Sequence, residues 1–342
     1  MHLKRETRIH IHQAISQWQE HIKENKIYAE STTKGYLSSA NTLKATLPNL
    51  YMKDFTADTL EIFFNIELPS GNNRKNKAYK TKARENLRSV LKLVYEFFCK
   101  KRLLRSSPFS YGIKLVDKDD SKFIMPYTDE EVLAICNLAD GSGIVEAFAF
   151  AIQEGTRVSE TLGLSDLTFI NSYENKQYAD INKSLMFGKI KIPKTNKSKR
   201  RIYITEYSSM LIRLMQAKKI RHEFSYILDD KKIVDKFIFV DPSTNKPWQN
   251  SKNYYNSLKH YFELAGVQFR GLQPARHTFI TNAHQVMNLS FVEIAEIIGH
   301  GDPDLLKEHY LHWTNYIRGK RSIDRRNRCS LLTHNLTMQL AA

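Results

Sequence analysis

Cysteine is scarce in this sequence. Three cysteines in 342 residues, Cys99, Cys136 and Cys329, have neither an even count nor CxxC spacing, so neither a disulfide framework nor a zinc ribbon is expected, and reduced thiols suit a cytosolic setting. Long apolar runs are also missing: no stretch of about 18 apolar residues occurs. The opening text MHLKRETRIHIH has no apolar core, so neither a membrane span nor a signal peptide is expected, and the protein reads as cytoplasmic. There is no HExxH and no clustered Asp/Glu site; His300, His309 and His312 fall close together but without a nearby cysteine, so neither a metal nor a cofactor is expected. Acidic residues are the other shortage. Asp and Glu total 36 against 52 Lys and Arg, a formal charge of +16, and an excess that large repels itself unless an anionic partner relieves it. Nucleic acid is the leading partner. With 42% apolar and 11% aromatic residues, the chain nonetheless folds as a globular protein rather than a disordered polyelectrolyte.

At 342 residues, two domains with separate cores are the natural expectation. Residues 8–107 read as helical, with Ile15, Trp18 and Ile22 at three-to-four spacing and a longer stripe through Leu87, Val90, Leu91, Val94 and Phe98. The interruption PSGNNRKNKAYK, residues 69–80, combines turn formers with basic side chains suited to phosphates. From residue 108 to 126 helical periodicity gives way to Ser, Pro and charge, as in a linker, after which Thr128 and Glu131 form a capping box that starts a second domain. Within it, SLMFGKIKIPKTNKSKRRIYIT (184–205) alternates apolar and polar residues on both sides of a basic turn, which predicts a hairpin. The expected division is 1–107, 108–126, 127–320 and a C-terminal tail, 321–342.

The stretch IIGHGDPDLLKEHYLHW, 297–313, has its own local logic. Ser290 and Glu293 form a capping box and Gly299 has the residue type that ends helices, which places His300 at a helix exit. Asp302 is a good N-cap and Pro303 fits the first helical position, so a short helix should carry Leu306, Tyr310 and Trp313 on one apolar face. By itself that pattern is a core stripe.

Taken with EGTRVSETLGL, PKTNKSKRRIYI and LQPARHTF, however, IGH and HYLHW complete an order of motifs that resembles the tyrosine recombinase family, the phage-type integrases. The resemblance covers most of the chain and is strongest over residues 127–314. It implies a mainly α fold with a small β-sheet: a helical SAM-like core-binding domain plus a mixed α+β tyrosine-recombinase catalytic domain. It also implies catalytic roles for Arg157, Lys194, Arg276, His300 and Tyr310, the last as nucleophile. One position departs from the family pattern. Gln273 stands where histidine or lysine is usual; it can hydrogen-bond a phosphate oxygen but cannot titrate near neutrality. Glu160 is expected to orient local structure, and His277 to pack rather than to act.

The residue types suit the chemistry. A tyrosine hydroxyl titrates near 10, so it needs a nearby cation or base to attack at neutral pH. Two arginines can grip the charge that accumulates on a phosphodiester's nonbridging oxygens, the task a metal performs in many nucleases. Lys194 is suited to protonate the leaving 5′ oxygen, ahead of its neighbours Lys191, Lys197, Lys199, Arg200 and Arg201, which read as phosphate contacts on a solvated turn. His300 can hydrogen-bond the phosphate or assist Tyr310 as a base.

The resemblance therefore implies a site-specific recombinase for integration or excision of a mobile element. It would act on double-stranded DNA with a specific site, as a homotetramer on two DNA sites, with possible accessory DNA-bending or excision factors and no membrane partner. A chromosome- or plasmid-resolving recombinase is the alternative within the class, and a catalytically decayed DNA-binding regulator or architectural protein the alternative outside it. No arm-binding domain is expected ahead of residue 8, and the tail SLLTHNLTMQLAA is expected to dock on a neighbouring protomer.

Overall fold

The structure, a computed structural model, describes residues 8–116, 125–171, 177–186, 188–192, 198–218, 221–228, 231–249, 251–307 and 310. The chain divides into two compact units, 1–123 and 124–342.

The first unit is helical: α1 (Ile11–Glu24), α2 (Glu30–Thr46), α3 (Ala57–Ile62), which runs through a π-helical turn at Phe63–Glu67 into α4 (Leu68–Ser70), and α5 (Thr81–Lys100). The two apolar stripes legible in the sequence form its core, with Ile15, Trp18 and Ile22 of α1 and Leu87, Val90, Leu91, Val94 and Phe98 of α5 all buried. At about 1.5–3 kcal/mol for each fully buried large side chain, these stripes are what hold the helices together. The start of the expected linker is a correction. Pro108–Tyr111 forms a 3-10 turn and Ile113 is buried in this same core. The buried Arg84 donates to the Val116 carbonyl at 3.1 Å and Arg88 to the Ile113 carbonyl at 2.6 Å, so residues 108–116 are part of the first unit. Arginine forks on α5 supply the donors that a strand or helix would otherwise provide, which is why the segment orders without periodicity of its own.

The second unit begins with α6 (Asp129–Cys136), closed by the expected capping box, in which Thr128 N–H donates to Glu131 at 2.8 Å and Glu131 N–H to Thr128 at 3.2 Å. Next comes α7 (Ile144–Glu154), apolar on nearly every side and buried almost throughout, as a central helix must be. It is followed by α8 (Val158–Thr161), α9 (Glu206–Ala217), α10 (Ser251–Leu264), α11 (Gln273–Gln285) and α12 (Phe291–Ile298). The strands are β1 (Phe169–Asn171), β2 (Gln177–Ile181), β3 (Ser184–Met186), β4 (Lys189–Lys191), β5 (Arg200–Tyr203), β6 (Glu223–Leu228) and β7 (Lys231–Lys236). They form three antiparallel sets: β1-β2-β5, β3-β4 and β6-β7.

The expected hairpin over 184–205 is therefore corrected. The tight hairpin is β3-β4, turning at Gly188 (φ +67°), while β5 pairs with β2, Ala179 opposite Ile202. Alternation marks both segments as strands but cannot choose their partners. The buried Lys183 fastens this region, bonding to Ser165, to the Tyr226 hydroxyl at 2.9 Å and to Asp235 at 3.2 Å across to β6-β7. Among the described residues no helix is long and apolar enough to cross a membrane.

Candidate active site

The site is assembled from three chain reversals in the second unit. At the first, Gly155 (φ +66°) ends α7 in a left-handed turn that a side chain would strain. A Cβ there would also press into the Phe279 ring of α11. Gly155→Ala is therefore expected to destabilise the protein by about 2–4 kcal/mol, read as a lowered denaturation midpoint at unchanged slope.

Two residues on, Arg157 caps α8. Its N–H donates to Glu160 at 2.9 Å and its guanidinium to the other carboxylate oxygen at 2.7 Å. Glu160 is buried and also receives Arg200 of β5 at 3.0 Å. Burial pushes the Glu160 carboxyl upward, but the charge and hydrogen bond of Arg200, reinforced by Arg157, hold it below the usual range, so it stays ionised. Arg200 reaches further, donating to the Ile297 carbonyl at 2.6 Å in the last turn of α12. It was expected on a solvated turn as a phosphate contact; instead its side chain is only 6% exposed and ties the first reversal to the third. Arg201 beside it pairs with Asp180 at 2.7 and 3.0 Å and lies over the Tyr178 ring.

The second reversal starts α11. Gln273 is its first residue and is exposed, and Pro274 follows it. Arg276, one turn along, donates to the Gly155 carbonyl at 3.1 Å, while its Nη2 is buried with no hydrogen-bond partner among the described residues. Burial, with the charges of Arg157 and Arg200 close by, pushes its pKa down to about 9. Three guanidiniums, Arg157, Arg200 and Arg276, thus face one carboxylate, Glu160, an arrangement that a bound anion would relieve.

The third reversal follows α12. Ser290 and Glu293 make the expected capping box, and Gly299 (φ +64°) ends the helix with its N–H donating to Glu296 at 3.2 Å and the His300 N–H to Ala295 at 2.8 Å, a Schellman turn. The His300 ring meets the Asp302 backbone through Nδ1, 2.8 Å from the carbonyl, so Nε2 is the nitrogen it can offer a phosphate oxygen. Asp302 caps the next helical turns, accepting from Asp304 and Leu305 at 3.1 Å each. Residues 303–307 are helical, and Leu306 and Tyr310 bury against Phe279, Ile280, Ala283, Ile294, Ala295 and Ile298.

Tyr310 is 6% exposed, and its hydroxyl is hydrogen-bonded to Nδ1 of His277 on α11; the rings stack with centroids 5.4 Å apart. Burial raises its pKa above the ordinary tyrosine value, while Arg276 draws it down. His277, expected to support the site by packing, makes a contact with the Tyr310 hydroxyl that the sequence does not reveal. Successive helical residues project about 100° apart. Once Arg276 turns toward Gly155, His277 must face a neighbouring direction, but nothing in the sequence says that Tyr310 waits there.

The structure thus brings together Arg157, Glu160, Arg276, His277 and Tyr310, ties the helix before His300 to them through Arg200, and leaves Gln273 exposed on the first turn of α11. Lys194, the expected general acid, and the C-terminal tail lie outside the described residues. No group of His, Cys, Asp and Glu among the described residues is arranged to hold a metal ion.

No protein-family model and no curated protein matches the chain. Solved structures do. A Tn1549 transposon integrase fragment in complex with a circular intermediate DNA aligns at 17% identity with a TM-score of 0.71, over 88% of this chain and 95% of that one. A lambda integrase fragment, a dimer bound to a COC′ core site, aligns at 12% identity with a TM-score of 0.62, over 87% and 97%. A lambda integrase tetramer bound to a Holliday junction aligns at 13% identity with a TM-score of 0.61, over 86% and 76%. At these identities the likeness shows the fold, which this chain shares with the integrases.

Proposed function

We propose that this protein, which has the tyrosine recombinase fold, is a site-specific DNA recombinase that integrates or excises a mobile element through a covalent 3′-phosphotyrosine intermediate. The observation that carries the proposal is the buried Nη2 of Arg276, unpartnered among the described residues, beside Arg157 and the Tyr310 hydroxyl. A buried guanidinium with a donor to spare, next to a buried tyrosine hydroxyl, is what a phosphodiester would complete.

In this mechanism Arg157 and Arg276 hold the nonbridging oxygens, with Glu160 fixing the Arg157 fork through its two hydrogen bonds. His300 Nε2 and the Gln273 amide are further donors to the same phosphate. The Tyr310 oxygen attacks phosphorus, the 5′ oxygen leaves, and Lys194 protonates it. Bond energy is conserved in the protein–DNA link, so a 5′ hydroxyl from a partner duplex can reverse the step without a nucleotide cofactor. Exchange of both strand pairs needs four active sites, and the tetramer seen for lambda integrase on a Holliday junction supports the same assembly here. The two units are the proposed DNA-binding and catalytic domains, acting on double-stranded DNA in the cytoplasm.

The test is incubation of the protein in EDTA with a nicked suicide duplex that carries the junction sequence of its mobile element. The expected product is a denaturant-resistant protein–DNA complex with a blocked 3′ end and a free 5′ hydroxyl. Binding without any covalent product would overturn the proposal in favour of a DNA-binding regulator.

The assignment of Lys194 has its own check. Lys194→Ala should slow cleavage by about 10²–10⁴-fold, the usual range for a general acid, and Lys197→Ala far less. A bridging 5′-sulfur leaving group, which needs little protonation, should restore most of the loss. A rate that stays low with sulfur would remove Lys194 from the proton-transfer step.

A further inference from the structure

Two histidines are candidates to take the proton of Tyr310, and the geometry separates them. His300, the one the family resemblance favours, has its Nδ1 at the Asp302 backbone, and its main chain is held by the Schellman turn. His277 instead has Nδ1 on the Tyr310 hydroxyl and its ring stacked on the tyrosine. His277 is also fixed from its other side, because its neighbour Arg276 is anchored to the Gly155 carbonyl and α11 packs on α7.

From this contact we infer that His277 is the general base that takes the proton of Tyr310 during DNA cleavage and returns it during religation. The inference rests on the proposed role of Tyr310 as nucleophile.

The step balances as follows. The Oη–H bond of Tyr310 breaks and the proton passes to Nδ1 of neutral His277, which requires the tautomer carrying hydrogen on Nε2. The Oη–P bond forms, the P–O5′ bond breaks, and the 5′ oxygen takes its proton from Lys194. The net charge of the phosphodiester is unchanged, and the imidazolium formed beside Arg276 is stabilised by the phosphate that Arg276 holds. Religation runs the same transfers backwards. The need for a base follows from the environment of the phenol, since burial holds it above its ordinary pKa in spite of Arg276. A hydroxyl so placed supplies little anion at neutral pH unless an acceptor touches it, and His277 does.

The experiment is single-turnover cleavage of the nicked suicide duplex by the full chain, in two backgrounds: natural Tyr310, and Tyr310 replaced by a trifluorinated tyrosine whose phenol ionises near neutrality. With natural Tyr310, His277→Ala is expected to cleave about 10²–10⁴-fold more slowly, the range for a lost general base. His277→Asn, which offers an amide oxygen close to the position of Nδ1 but cannot accept a proton, should be equally slow. In the fluorinated background the penalty of either substitution should shrink to within about tenfold, because the nucleophile no longer depends on a base. Thermal melting and DNA affinity of the Asn variant report whether the fold is intact. Restoration of the rate by Asn, or an equal penalty in both backgrounds, would overturn the proton-transfer role and leave His277 a positioning residue. Failure of the nucleophile reading is recognised separately, by covalent product persisting in Tyr310→Phe.

Discussion

Tyr310→Phe is expected to abolish covalent attachment to DNA, lowering cleavage by on the order of 10⁴-fold or more, while the protein folds and binds DNA nearly as before. The chemical half of that expectation is direct: without Oη there is no atom to bond phosphorus. The structural half follows from the packing of the ring. Tyr310 is buried with Leu306 against α11 and α12, and phenylalanine keeps every one of those apolar contacts. Among the described residues, what is lost is the hydrogen bond to His277, a cost of about 0.5–1.5 kcal/mol. A large kinetic loss with a small stability loss is the signature of a residue whose ring belongs to the core and whose hydroxyl belongs to the reaction. A truncation to alanine would mix the two effects and is the poorer test. Labelled suicide duplex, resolved under denaturing conditions, reads attachment, and gel shift on the same duplex reads binding. Persistent covalent product would move the nucleophile to another tyrosine, with Tyr316 next in the chain.

Much of this site is written in local sequence. Capping boxes at Thr128 and Ser290, the helix stop at Gly299 and the cap at Asp302 depend on residues within a few positions of one another, and each forms as its spacing implies. The order of Arg157, Arg276, His300 and Tyr310 along the chain is likewise read through resemblance, and Glu160, expected to orient local structure, holds the Arg157 fork. What local sequence could not supply is the partner of each group across the fold. The strand pattern over 184–205 was visible, yet β5 pairs with β2 because Ile202 must reach the core beside Ala179, a constraint set by tertiary packing. Arg200 looked like one cation among many in a basic run; only the buried carboxylate of Glu160, forty positions away, makes it internal. His277 was hidden for the same reason, since its contact with Tyr310 spans 33 positions. The linker text has no periodicity to reveal that Ile113 enters a core and that arginines of α5 donate to carbonyl groups of this segment.

Those internal arginines sharpen the second large expectation, which concerns salt. If roughly 6–10 phosphates are neutralised, DNA affinity should fall about 10³–10⁵-fold between about 50 and 200 mM salt, since each neutralised phosphate releases condensed counterions. Three basic runs, 72–80, 191–201 and 318–328, are the natural contacts for a chain of charge +16. They do not contribute evenly. In the first run Arg74 and Lys75 are both exposed, but Arg74 also donates to the Leu47 carbonyl of its own unit at 3.1 Å. In the second, Lys199 is exposed, Arg201 is paired with Asp180, and Arg200 is bound to Glu160 and Ile297. The third lies outside the described residues. Lys75→Ala and Lys199→Ala should therefore each reduce the slope of log affinity against log salt by about 1, uniformly across DNA sequences. Arg201→Ala should change it less, because its charge is already met by a carboxylate. Arg200→Ala should leave the slope near the parent value but slow cleavage, because it removes a support of the Glu160–Arg157 pair rather than a phosphate contact. Equilibrium binding at a series of salt concentrations, with each variant's cleavage rate measured on the same duplex, separates these outcomes. A near-flat salt dependence of the parent protein is incompatible with a phosphate-gripping surface, and a full unit of slope lost with Arg200→Ala would place that guanidinium on DNA instead of in the core.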